Sequence, residues 1–385
     1  MFVANQNSEC WIKGLNFIKG GGDPMSKQKK MTSSRGFGIF LCLIGIIFMQ
    51  SWNGSPTVQE NDESLEYVAP EEVGWSSEKL EEAKAFAEKI NSAAVMVIYD
   101  GKVFISWGNV DRNYKCHSIR KPFLSALYGI YRNRKKINLD ATLEELNIDD
   151  IPPSLSKEEK KATVRDLLKS RSGVYHEAAA EAQVMIDTRP TRGSHPPNTF
   201  YYYNNWDFNV LGTIFEQETG AKIFEAFKKE IADPIGMEDF SVENCQYYYE
   251  KNKSMHPSYA FRMSARDMGR FGLLYLRKGN WKGRQIIPQE WIDESTQAYS
   301  IVSEEMGVGY GYMWNVVKPK GAFAQLFDGH DAFFHTGIGI HTLAVIPGLK
   351  LVYIYRYDTD EQFEDPGDAT IQLVSMIMNA RMSKE

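Results

Sequence analysis

The sequence is poor in cysteine and carries no excess of positive charge. Its 385 residues contain four cysteines, Cys10, Cys42, Cys116 and Cys245, and their spacing is not that of metal ligands. The formal net charge is −6, so the chain lacks the basic surface that binds a phosphate backbone. We therefore expect no metal site and no nucleic-acid partner.

Long apolar runs are missing too, apart from a short one near the N-terminus. Residues 36–49 carry no charge and follow four basic residues between positions 27 and 35. A membrane-spanning helix usually needs about 20 apolar residues, so the shorter run is typical of a secretory signal peptide. We predict that residues 1–54 are a leader with a signal peptide or anchor. An internal start at Met25 or Met31 would explain the polar residues before the basic stretch.

No internal repeat is present, and low complexity is confined to one short segment. Residues 55–69 begin polar and acidic, which predicts a flexible linker. With 43% apolar and 24% charged residues, the rest has the composition of a globular protein. We predict one folded unit over residues 70–385. Its two cysteines, Cys116 and Cys245, either form a disulfide or stay as buried free thiols, and we take free thiols as the default.

Strand patterns lie at both ends of this unit and helical patterns lie between them. Ser76–Ile90 has the apolar spacing of an amphipathic helix, and Asp100-Gly101 joins two strand-like runs in a hairpin pattern. The predicted strands are 94–99, 102–107, 309–317, 333–335, 342–346 and 351–357, with a closing helix over 369–382. The fold class is therefore α+β, with an antiparallel sheet built from both chain ends, flanked by helices, and an inserted mainly helical domain over about 118–300. The active site is expected in the seam between these two parts.

A serine and a lysine three residues apart open the helical part. Ser118 and Lys121 would share one helical face, so the lysine amine can reach the serine hydroxyl. A lysine kept neutral by burial can take the proton of that hydroxyl, and a helix N-terminus favours the developing anion. The pair predicts a nucleophile with its base, although S-x-x-K also occurs by chance on surface helices.

A second polar pattern lies at Tyr203 and Asn205. A tyrosine beside a cationic lysine has its phenolate favoured, which lowers its pKa from about 10 and makes it a general base. The Asn205 amide can hydrogen-bond both the lysine and a substrate carbonyl. Tyr175, in a loop after Ser172-Gly173, is a further candidate for the pocket wall.

The third pattern is His335-Thr336-Gly337, followed by Ile338. A glycine on an edge strand lets a substrate lie close to the backbone. The N–H groups of Ile338 and Ser118 can then point at a substrate oxyanion. A lone histidine before a glycine is usually structural, but its position after the other two patterns makes it a candidate substrate-side residue.

In this order the three patterns resemble those of serine β-lactamases and penicillin-binding proteins. Y-x-N and H-x-G are more similar to the class C-like branch, which includes esterases, D-aminopeptidases and 6-aminohexanoate-dimer hydrolases. Segments 162–173, 263–272 and 309–314 are similar to that branch as well. The resemblance implies hydrolysis of an ester or amide bond in a small-molecule substrate through an acyl-enzyme on Ser118, with Lys121 and Tyr203 as proton shuttles and no cofactor.

His335 departs from the K-T-G lysine of that superfamily. An imidazole with a pKa near 6.5 is mostly neutral at pH 7, so a penicillin or peptide carboxylate loses its usual counter-charge here. We therefore expect β-lactamase or D,D-peptidase-type activity less than hydrolysis of neutral esters or amides. A non-catalytic binding protein or acylation sensor with the same fold is the other alternative.

The basic stretch and short apolar run predict export: the protein is periplasmic, secreted or associated with the membrane through residues 36–49. If the signal peptide is cleaved, the mature chain starts between about Gln50 and Ser55. N-terminal sequencing of protein from the cell envelope and the medium measures this. A full-length product confined to the cytoplasm contradicts it.

Overall fold

A computed structural model describes residues 65–361 and 366–382. The predicted leader and signal segment, Cys10, Cys42 and most of the predicted linker lie outside the described residues. Glu66–Tyr67, at the end of that linker, form a short strand. Within the described ranges, no helix combines the length and the apolar character needed to cross a membrane.

Nine α-helices are described. They are α1 Ser77–Lys89, α2 Arg120–Asn133, α3 Val164–Leu168, α4 Gln183–Thr188, α5 Asn205–Thr219, α6 Ile223–Phe227, α7 Ala265–Leu276, α8 Gln289–Ser295 and α9 Ala369–Asn379. The strands in the described ranges are β1 Glu66–Tyr67, β2 Ala94–Tyr99, β3 Lys102–Gly108, β4 Tyr114–Lys115, β5 Gln246–Tyr248, β6 Ser258–Ala260, β7 Arg262–Met263, β8 Asn280–Trp281, β9 Arg284–Gln285, β10 Ser300–Ser303, β11 Val308–Tyr310, β12 Asn315–Val317, β13 Ala332–Gly337, β14 His341–Ile346 and β15 Leu351–Arg356.

One nine-stranded sheet combines both ends of the described chain. Its order is β1-β3-β2-β15-β14-β13-β12-β11-β10, so the N-terminal hairpin β2–β3 pairs with the C-terminal strand β15. All neighbours are antiparallel except β1 and β3, which pair in parallel over two residues. The α+β prediction, with a sheet built from both chain ends, is confirmed.

The predicted strand over 309–317 is wrong in one respect, because the chain turns in its middle. β11 and β12 pair antiparallel with each other across a turn at residues 311–314. Met313 takes a left-handed φ of 63° in this turn. A Cβ on Gly311 would lie 2.2 Å from the carbonyl oxygen of Ser295. Only glycine allows the turn to approach the end of α8 this closely.

Successive side chains of the central strands pack into two separate apolar cores. On β2, Met96 and Ile98 face the core that contains α7, whereas Val95 and Val97 face the core that contains α1 and α9. This alternation follows from the two-residue period of a strand. A strand covered on both faces must be apolar throughout, and all four of these residues are fully buried.

Helix α7 lies directly on the middle of the sheet because glycines face the strands. A Cβ on Gly272 would lie 2.4 Å from Cγ1 of Val352 and 3.1 Å from Cδ1 of Leu343. A Cβ on Gly269 would meet only the ends of the Ile98 and Met96 side chains, both at 3.1 Å. The helix therefore approaches the sheet most closely at Gly272.

We predict that Gly272→Ala destabilises the protein although alanine favours helices. Alanine gains about 1 kcal/mol in helix propensity, but overpacking against the stiff Val352 side chain costs about 1–3 kcal/mol or slightly more. The expected net loss in the free energy of unfolding is up to about 2 kcal/mol, measured by urea denaturation. Gly269→Ala is the matched control, because flexible side-chain ends can move aside. Equal stability of the two variants would contradict this account of the helix–sheet contact.

Candidate active site

Ser118 lies in a tight turn between β4 and α2. The turn His117–Ile119 is a 3₁₀-helix, and His117 has a left-handed φ of 47°. The His117 Nε2 atom lies 2.8 Å from the Thr359 hydroxyl. The buried Arg356 guanidinium donates to the carbonyl oxygens of Tyr114 and Lys115. These contacts hold the strained backbone in front of Ser118 in one conformation.

The predicted pairing of Ser118 with Lys121 is present in the structure. Nζ of Lys121 lies 2.8 Å from Oγ of Ser118. The lysine side chain is fully buried, and this burial, together with the positive charge of Arg120, holds the pKa of Lys121 well below its ordinary value. A neutral amine at this distance can accept the serine proton.

Tyr203 reaches the same serine, but its pKa is the reverse of the prediction. Its ring centroid lies 4.7 Å from Nζ of Lys121, and its hydroxyl interacts with that of Ser118. Burial raises the pKa of Tyr203 well above 10, and the contact with Ser118 and the charge of Arg120 offset this only in part. The predicted phenolate is wrong because burial of the Tyr203 hydroxyl disfavours its charged form. Tyr203 is a neutral phenol, able to donate its proton.

Asn205 begins helix α5, with Asn204 as its N-cap. The Asn205 Nδ2 atom donates to the carbonyl oxygen of Ala180 at 2.6 Å, and its Oδ1 atom is buried without a hydrogen-bond partner among the described residues. The expected hydrogen bond between Lys121 and Asn205 is therefore not formed, since the Oδ1 atom that would accept it has no partner. The side chain lines the cavity beside Ser118.

The third pattern lies on strand β13, against the serine turn. His335 is buried, its Nδ1 atom is 2.9 Å from the carbonyl oxygen of Thr336, and burial is the main cause that lowers its pKa to about 3. The expected neutral imidazole is confirmed. A Cβ on Gly337 would lie 2.7 Å from the carbonyl oxygen of Cys116. Glycine here lets the strand end approach the nucleophile, and Ile338, which follows, is 60% exposed.

A cavity of about 510 Å³ opens in front of Ser118. Ser118, Arg120, Asn205 and Ile338 are among the residues that line it. The remaining predicted residues of the three patterns, Lys121, Tyr203, His335, Thr336 and Gly337, are not among the lining residues. Lys121 and Tyr203 contact Ser118 directly, and Gly337 lies against the turn that carries it. The predicted pocket role of Tyr175 is not supported, because Tyr175 is outside the cavity wall and its hydroxyl lies 3.1 Å from Nδ1 of His195.

Two residues of this wall were given no role by the sequence patterns. Arg120 lies inside the S-x-x-K pattern at a position where any residue fits, and His117 precedes Ser118. One sequence signal could have indicated a role for Arg120. It directly precedes Lys121, whose proposed role as a base requires burial, so Arg120 could be expected to lie close to the same site. Cys116 is a buried free thiol and Cys245 a partly buried one, so the expected free thiols are confirmed. Among the described residues, no cluster of three metal-ligating side chains is found.

Comparison with known proteins agrees with this geometry. Residues 78–374 match the family model named Beta-lactamase. A segment of 167 residues is 30% identical to a D-aminopeptidase of Brucella anthropi and covers 37% of this chain and 31% of that protein. The chain thus spans less than a third of the length of the curated relatives that it matches.

Solved structures share the fold at low sequence identity. A class C β-lactamase superimposes with a TM-score of 0.59 at 15% identity, over 80% of this chain and 97% of that one. A proposed 6-aminohexanoate-dimer hydrolase of Bacillus anthracis gives a TM-score of 0.59 at 19% identity, over 77% of this chain and 81% of that one. The chain therefore belongs to the Beta-lactamase family.

Proposed function

We propose that the protein hydrolyses an ester or amide bond in a small molecule through an acyl-enzyme on Ser118. The observation that carries the proposal is the 2.8 Å contact between Ser118 and a fully buried Lys121, at the wall of an open cavity. A buried amine without its proton is a base at neutral pH, and its serine partner faces the space where a substrate can enter.

The first half of the reaction forms the acyl-enzyme. Oγ of Ser118 bonds to the substrate carbonyl carbon while its proton passes to the Lys121 amine, and the carbonyl electrons move onto oxygen. The backbone N–H groups of Ser118 and Ile338 receive this oxyanion. When the oxyanion collapses, the bond to the leaving group breaks and the neutral Tyr203 phenol protonates that group. The lysine ammonium then returns a proton to Tyr203.

The second half uses the same groups in reverse. A water molecule attacks the acyl carbon and gives its proton to Tyr203, which passes its own proton to the Lys121 amine. The Ser118–acyl bond then breaks, and the lysine ammonium returns a proton to Oγ.

The cavity volume of about 510 Å³ suits a small substrate. Asn205 contributes an unpaired Oδ1 at this wall, which can accept a hydrogen bond from a substrate N–H. The similarity to a D-aminopeptidase supports an amide substrate.

A fluorophosphonate is expected to label Ser118, and Ser118→Ala should lose both labelling and ester turnover because no other group replaces Oγ. Mass mapping of the labelled peptide and hydrolysis of a p-nitrophenyl ester beside a chromogenic cephalosporin measure this. Ser154→Ala, at an exposed serine, is the control. Labelling at another serine overturns the assignment, and labelling followed by no turnover indicates an acylation sensor instead of a hydrolase.

Lys121→Arg is expected to reduce kcat/KM by about 10²- to 10⁴-fold, because a guanidinium stays protonated and cannot act as a base. In the wild type, activity should fall only as pH drops through the Lys121 pKa, which lies well below its ordinary value. The wild-type enzyme is therefore expected to be active at neutral pH. Lys136→Arg, at an exposed lysine, is the control. A wild type that needs pH above 10 contradicts a neutral lysine.

A further inference from the structure

Arg120 is a buried cation without an acidic partner. Only 5% of the residue is exposed, although it lines the cavity beside Ser118. Its Nη2 atom donates to Oδ1 of Asn209 at 3.2 Å, and its guanidinium lies 4.3 Å from the centroid of the Tyr259 ring. Its Nη1 atom is buried without a hydrogen-bond partner. Among the described side chains, no carboxylate lies within ion-pair distance of it.

Such a group is costly to bury. A guanidinium cannot lose its proton under these conditions, so it keeps a full positive charge inside the protein. One amide oxygen and one aromatic face offset this cost only in part. The buried Arg356 differs, because it donates to two backbone carbonyl oxygens and is not part of the cavity wall. Arg120 therefore needs an explanation that Arg356 does not.

The other charged side chains of the cavity wall are paired. Lys115 and Arg262 both contact Asp360, Glu181 contacts Arg189, and Glu250 contacts Lys253. Arg120 is thus the one charged side chain of this wall without an oppositely charged partner among the described residues. A single charge on a planar, forked donor is complementary to a carboxylate, which is planar and carries one negative charge.

We infer that Arg120 binds a carboxylate of the substrate, and that the hydrolysed ester or amide therefore carries a second, anionic carboxyl group. The inference deepens the proposed function and rests on it. It also revises the expectation drawn from His335. The neutral imidazole on β13 offers no cation, but Arg120, two residues after Ser118 and part of the cavity wall, provides one.

A matched pair of substrates tests this without any variant. One is the p-nitrophenyl half-ester of adipic acid, with a free carboxylate, and the other is the same ester with that carboxylate methylated. Wild-type kcat/KM, after subtraction of the non-enzymatic rate, should be at least about tenfold higher for the carboxylate form. Equal values, or a preference for the methylated form, overturn the inference.

Variants assign the preference to Arg120. Arg120→Gln should lower the ratio of the two kcat/KM values by about tenfold or more, and Arg120→Lys should lower it less because it keeps the charge. Arg262→Gln is the matched control, because this arginine lines the same cavity but is already paired, and the ratio should stay within about twofold. If Arg120 only adjusted the pKa of Lys121, both substrates would lose rate together and the ratio would not move, which also overturns the inference.

A binding measurement separates this inference from the proposed chemistry. On the Ser118→Ala background, calorimetric titration with adipate should show binding that is lost when Arg120→Gln is added, with circular dichroism checking that both proteins are folded. Adipate binding that is absent, or the same with and without Arg120, contradicts the inference. If neither ester is hydrolysed and Ser118 is not labelled, the proposed function fails, and the adipate titration alone then decides whether Arg120 binds a carboxylate.

Discussion

The site depends on the burial of one lysine. Lys121 lies at the start of α2, and the rings of Tyr203 and of Phe208 on α5 are each 4.7 Å from its Nζ atom. Removal from water disfavours the ammonium form, and this makes the amine a base. Burial acts on Tyr203 as well, because it disfavours the phenolate and raises the pKa of this side chain. In one enclosure, burial thus favours the uncharged forms of both groups, an amine and a phenol.

The positive charge of Arg120 lies close to Lys121 and Tyr203, and no carboxylate of the described residues neutralises it. Arg120 lowers the pKa of Lys121, Tyr203 and His335 alike, and it does so without a carboxylate partner. An ion pair would reduce this effect by cancelling the charge. The unpaired guanidinium is therefore consistent with two roles, keeping the lysine neutral and attracting an anionic part of the substrate.

Close backbone approach brings distant parts of the chain together at the serine. Strand β13 carries Gly337 onto the carbonyl of Cys116, and Arg356 on β15 fixes β4 through two carbonyl oxygens. Both strands belong to the sheet that also includes the N-terminal hairpin. The stability of the sheet and the geometry of the turn at Ser118 are coupled, because strand ends, rather than a separate loop, position this turn.

The sequence by itself determined the fold class, the hairpin at Asp100-Gly101, the order of the three polar patterns and the pairing of Ser118 with Lys121. These rest on periodicity and on spacing within one helical turn, which are local properties. Only the tertiary structure decided three other features. They are the turn inside residues 309–317, the hydrogen bond from the Asn205 amide to residue 180, and the raised pKa of Tyr203. Each depends on burial or on a partner far along the chain. Arg120 is a further example. Its position inside the S-x-x-K pattern is visible in the sequence, whereas its burial without an acidic partner is visible only in the folded structure.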